Sequence, residues 1–222
     1  MHAGVLGVAQ DDFAVVQSFS NSVRKDDREL TRCLEVDRVF SLPSGTAAFE
    51  GRAAVERPTT RTATEIDAGE IRVRESTSTE TVSTAVAGVP GEFVVVENGR
   101  GTFAFEMVEW ETGTGIERAE LDLNAVLDSQ KAAKPWKAGF YDTDGNCENG
   151  VLHGSDLLAD ENLGAVVEGA RLNQLGLDCE YEDHDLKMTA SESGYVEIYQ
   201  PGDFETAEFL QYLRDEIVPH VT

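Results

Sequence analysis

Four side chains in the second half of the chain, Cys147, His153, Cys179 and His184, are of the types that bind zinc, through thiolate sulfur and imidazole nitrogen. They stand as candidate metal ligands, although their spacing matches no standard zinc pattern. Cys179 also falls between Leu177 and Tyr181 on an alternating apolar face, where a free cysteine packs as a small hydrophobe. Beside them, Asp142, Asp144 and Asn146 take positions one, three and five of a calcium loop. The loop then fails, because its glycine comes at position four instead of six and His153 stands where a bidentate Glu is required. A third grouping surrounds Trp136 with Lys131, Lys134 and Lys137, three of the five lysines of the chain. Cations beside an indole ring suit an anion or a stacked flat group; a solvated linker next to a core tryptophan would read the same. The candidate binding residues are therefore Lys131, Lys134, Trp136, Lys137, Asp142 and Asp144.

The string from Phe140 to Asn146, Phe-Tyr-Asp-Thr-Asp-Gly-Asn, resembles the first motif of the haloacid dehalogenase-like phosphatases. That resemblance implies Asp142 as nucleophile and Asp144 as general acid, with magnesium offsetting their charge. It extends no further: the motif closes the first strand of a Rossmann-like domain, whereas fewer than ninety residues follow here and they read as an antiparallel meander. A hairpin turn needs Asp and Gly at these places for conformational reasons alone. No nucleophile elbow, Walker loop, dinucleotide fingerprint, His-x-x-x-His or C-x-x-C occurs.

The net charge is -24, from 42 Asp and Glu against 18 Lys and Arg. In dilute buffer such a charge opposes the compact state by self-repulsion, whereas at about 1 M salt the Debye length shrinks to roughly 3 Å. This acid-rich, lysine-poor profile resembles that of haloarchaeal cytoplasmic proteins, which implies a halophilic, cytoplasmic chain. The start of the chain has no basic region ahead of its short apolar stretch, so a first strand is expected there and not a signal peptide. No run approaches a membrane span, and three widely spaced cysteines suit reduced thiols. Charge is uneven: up to residue 137 there are 15 cations and 23 acids, and beyond it 3 and 19. Nucleic acid is not expected on that second half. In the first half Arg52, Arg57, Arg61, Arg72 and Arg74 fall within 23 residues.

The elements that must position these groups follow from periodicity. Ile71 and Val73 alternate with polar residues as a half-buried strand does. Residues 92–97 and 102–108 are expected to form a hairpin through Asn98-Gly99. A strand is expected over 116–123, a short helix over 124–131 and a helix over 26–34 with Leu30, Cys33 and Leu34 inward. A hairpin is expected with arms 136–142 and 149–153. A helix should start at Ser155 or Asp160 and stop at Gly176. Three short strands then follow, and a closing helix capped by Asp203, with Phe204, Ala207, Leu210, Leu213 and Ile217 on one face. Strand 91–96 is faintly echoed by 194–199.

The expectation is an α+β protein of antiparallel meander sheets with a few covering helices, in two subdomains: a β-rich α+β unit over 1–130 and a β-β-α-β-β-β-α unit over 135–222. The leading functional expectation is a protein-binding or adaptor module, with Tyr195, Tyr199, Phe204, Phe209 and Tyr212 as aromatic anchors. The alternative is an enzyme of unrecognised type with its site near the 142–153 hairpin. The expected partner is another protein, and no membrane; the sequence specifies neither a cofactor nor an oligomeric state.

Overall fold

The computed structural model describes every residue except 15, 26–27 and 144–146. The described residues form an α+β fold on one sheet of twelve antiparallel strands. In chain order the strands are β1 (Ala3–Ala9), β2 (Phe19–Lys25), β3 (Arg28–Ser41), β4 (Ala47–Asp67), β5 (Glu70–Val89), β6 (Phe93–Val96), β7 (Ile116–Arg118), β8 (Lys134–Tyr141), β9 (Asn149–His153), β10 (Arg171–Tyr181), β11 (His184–Ser191) and β12 (Tyr195–Gln200). The helices are α1 (Phe103–Thr112), α2 (Leu123–Ser129), α3 (Glu161–Gly169) and α4 (Thr206–Tyr212). The strand order is β2-β3-β4-β5-β6-β1-β12-β11-β10-β8-β9, with β7 pairing β1 off this path.

β1 and β6 carry apolar residues on both faces because both faces are covered. On one side Val5, Val94 and Val96 join Phe49, Phe103, Phe105 and Val108, so α1 packs there. On the other, Leu6, Phe93 and Val95 join a larger core with Leu175, Leu177, Met188, Val196 and Ile198 from the later strands and Phe209, Leu210 and Tyr212 from α4. In β8, β10 and β11, by contrast, only this second face is part of a core, and in β12 Tyr195 alone reaches the first. α4 begins at a capping box of Glu205 and Glu208, not at Asp203, and runs on through a π-type turn at Leu213–Ile217. Arg214 in that turn makes a bidentate pair with Glu92, Nε to Oε2 and Nη2 to Oε1 both at 2.7 Å, which ties the last helical segment to the start of β6.

The hairpin of β8 and β9, the meander of β10 to β12, α2, and the start of α3 at Asp160 match the sequence expectation. Four elements differ. Residues 103–112 are helix: Asn98 is extended and its side chain caps a 3-10 turn at Gly99–Thr102, so no tight hairpin forms. Residues 28–34 are strand, with Leu30, Arg32 and Leu34 in one row and the Arg32 guanidinium 4.6 Å from the Trp110 ring. α3 ends at Gly169, and Gly176 lies within β10. Within 116–123 the ladder stops at Arg118, with Leu121 bridging to Val221.

Candidate functional site

The Trp136 neighbourhood comes from an irregularity in pairing. Along β10 the partner in β8 jumps from Lys137, opposite Gly176, to Pro135, opposite Leu177, so Trp136 is the extra residue of a bulge. Its ring covers the bare backbone of Gly176, where a Cβ would lie 2.6 Å from the indole. The Lys187 ammonium sits 5.0 Å from the ring centroid, Tyr199 stands edge-on at 6.3 Å and His153 is 6.5 Å away. The Trp136 Nε1 is buried and, among the described residues, has no hydrogen-bond acceptor. A shallow groove of about 440 Å³ adjoins this cluster, lined by Lys137, Gln174, Thr189, Tyr195, Glu197 and Tyr199 among others. The Tyr195 hydroxyl donates to Glu197 at 3.0 Å; burial, then that carboxylate, pushes its pKa up to about 12.

Sequence spacing placed three lysines around Trp136, but strand pairing supplies a different one. Lys187 comes from β11, fifty residues on, and is held by Asp178 at 3.4 Å. Lys131 is exposed in a turn, whereas Lys134, opposite Asp178, and Lys137, opposite Gly176 and His153, lie on the open face. Among the proposed aromatic anchors, Phe204, Phe209 and Tyr212 are buried, Tyr195 is half-buried, and Tyr199 keeps 47% of its surface exposed.

The candidate metal ligands are dispersed. Cys147 is exposed in the loop before β9, with its Sγ near the Asn149 carbonyl, and His153 faces Trp136. Cys179 lies inward against Tyr212, and burial pushes its thiol up to about 11. His184 packs edge-on against Phe204, 3.5 Å from Glu208 of α4. Among the described residues no three His, Cys, Asp or Glu side chains gather as a metal site. Asp144 lies outside the described residues; Asp142 is exposed with φ +53°. Tyr141 pairs with Asn149 and Lys137 with His153, so Asp142 and His153 stand at opposite ends of the hairpin, roughly 17 Å apart along the strands.

A further feature, which motif search did not suggest, is the hairpin of β4 and β5. Its ladder runs without a break from Phe49 opposite Gly88 to Asp67 opposite Glu70. β3 pairs with β4 only as far as Val55 and β6 with β5 only from Val86, so the outer part is a ribbon of two strands. No residue from 57 to 81 is buried. Ile71 and Val73, expected to be half-buried, are 75% and 64% exposed, and Ile66 is 78% exposed, because among the described residues nothing packs over the tip of this arm.

Cross-strand partners share a face, so the register sorts the arm into two. One face carries Pro58, Thr60, Thr62, Thr64 and Ile66, opposite Thr79, Thr77, Glu75, Val73 and Ile71 in turn. Glu75 is the one charge there. The other face carries Arg57, Arg61, Arg72 and Arg74 with Glu65, Asp67, Glu70 and Glu80. Arg72 is 2.7 Å from Asp67 and Arg74 is 2.6 Å from Glu65. At the base of that face Arg57 lies 5.3 Å from the Phe103 ring. Nearby, Arg28 donates to the Thr77 carbonyl at 3.2 Å. Near the tip the arginines are thus paired with carboxylates, while the arm's opposite face, with Glu75 as its one charge, stays open.

No protein-family model matches the chain, and no curated protein matches it. Among the described residues no helix is long and apolar enough to cross a membrane.

Proposed function

We propose that this chain is a protein-binding module whose contact element is the β4–β5 arm. The observation that carries the reading is the arm's uncharged face, ten β-strand positions with a single carboxylate and with Ile66, Ile71 and Val73 bare at the tip. A contiguous apolar and β-branched surface of this kind on an otherwise acidic chain marks an interaction site. The arm's free strand edges add main-chain donors and acceptors for a partner strand. The enzyme alternative draws less support, since the hairpin holds Asp142 and His153 apart. The acidic, lysine-poor composition supports a salt-rich cytoplasm as the working medium.

The test is capture of partners by the tagged chain above about 2 M KCl, where surface electrostatics are screened, with an Ile66→Asp, Ile71→Asp variant alongside. Both residues are exposed, so the variant keeps its fold. A stoichiometric protein, a second copy included, that binds the native chain and is lost from the variant is the expected result. Equal capture by both, or by neither, sinks the arm as contact element.

A further inference from the structure

Resting on that reading and naming its partner, we infer that the arm's occupant is the arm of a second copy of this chain, the two packed face to face through their uncharged rows and running antiparallel. Three observations converge on it.

The first is structural incompleteness. A two-stranded ribbon is marginal in water unless a further layer covers one face. Here the charged face is braced at its base by Arg28 and Arg57, while beyond Glu56 no position of the opposite face is buried among the described residues. A second ribbon at the usual sheet separation of about 10 Å supplies the missing layer.

The second is charge. Residues 57–81 hold four arginines and five acids, so nearly all of the net -24 lies elsewhere. Two copies repel across most of their surfaces, and the arm's uncharged face is where a like chain can settle with a single carboxylate from each side. A nucleic acid would seek the arginines, which lie on the opposite face, those near the tip already in ion pairs. The antiparallel arrangement also places the two acidic bodies at opposite ends. Each apolar tip then covers the other's threonine rows, near Thr60 and Thr77, which is the self-complementary contact that a twofold axis requires.

The third is area. Five rows of side chains make a strip roughly 30 Å long and 10 Å wide. Burying it on both arms covers about 600 Å² in all, the size of a weak, transient contact. The dimer is therefore reversible and concentration-dependent, and molar salt favours it by screening the Glu75 that each arm brings to the middle row of the contact.

Sedimentation velocity in about 2 M KCl, from about 1 to 200 µM, tests this. The native chain should shift from monomer toward dimer across the range, and Ile66→Asp, Ile71→Asp should weaken dimerisation at least tenfold with an unchanged thermal melt. A native chain that stays monomeric at the top of the range overturns the inference, as does a variant that dimerises equally well. A monomer that still captures a different protein through its arm leaves the protein-binding reading intact and removes only the second copy; a dimer lost in the variant supports both.

Discussion

The arm and the sheet of β8 with β10–β12 are made from the same alternation of residues, yet one has a core and the other has none. In the sheet, the inner row of Leu175, Leu177, Met188, Val196 and Ile198 disappears beneath helices that bring Phe209, Leu210 and Tyr212. In the arm, the corresponding row of Thr64, Ile66, Ile71 and Val73 faces outward. A period of two thus identifies a strand without saying what covers it. The clue to covering lies in the paired row. The sheet's second row mixes charge with aromatic rings around Trp136, while the arm's second row is a balanced ladder of arginine and carboxylate.

Salt should separate the two regions most strongly. Nearly all the net charge belongs to the body, and at about 0.1 M salt the Debye length returns to roughly 10 Å, long enough for neighbouring carboxylates to repel. Lowering KCl from molar to about 0.1 M should therefore unfold or loosen the body, seen as loss of the cooperative circular-dichroism melt. The Ile66→Asp, Ile71→Asp variant should lose it over the same salt range. A melt that does not depend on salt would refute the halophile proposal outright.

Single core substitutions come next. Phe209 is fully buried between the sheet and the last helical turns, so Phe209→Ala removes its transfer energy and leaves a cavity, a loss of about 3–5 kcal/mol. Ile66→Ala, at a site 78% exposed, should change the stability of the dilute monomer by no more than about 0.5 kcal/mol. Denaturant melts in molar salt measure both. Similar losses at the two positions would mean that the arm folds back onto the body, and the comparison would fail.

What the sequence disclosed tracks how plainly each row is written. The C-terminal meander was legible because Leu177, Cys179 and Tyr181 alternate strictly with acids. α1 was not, because Phe103, Phe105 and Met107 mimic a strand while Ala104 and Val108 are buried as well, so its apolar surface spreads round the helix. β3 was hidden by Arg32, a charged residue in an inward row that is tolerated because Trp110 receives its guanidinium. The echo between 91–96 and 194–199 has a concrete counterpart: β6 and β12 flank β1, and each is entered through a glycine with positive φ, Gly91 and Gly194. At the candidate site, spacing found Trp136 and Lys137, but Lys187 and Tyr199 reach the ring through strand pairing, which no linear pattern records. The arm's two faces, in contrast, could be written down from the sequence once the register was known.

The smallest effect concerns the side of the sheet that the helices close. Cys179 belongs to the inward row of β10, and burial lifts its thiol from the ordinary 9.0 to about 11, with the nearby Glu216 adding to the rise. At pH 8 a shift of that size lowers the reactive thiolate roughly a hundredfold. A maleimide should therefore label exposed Cys147 promptly and leave Cys179 until the chain unfolds, which mass spectrometry of digests resolves. The same shift fixes a sign. The folded state holds the proton more tightly than the unfolded one, so the contribution to stability is complete below pH 9 and is lost as pH rises toward 11. Cys179→Ala should flatten that part of the pH profile, against a background in which the half-buried Tyr181 and the buried Tyr212, whose hydroxyls are also raised by burial, push the same way. Labelling of Cys179 as fast as Cys147 in the native state would show that α4 does not seal this face. The contrast between a covered sheet and a bare arm would then narrow to the strands around β1.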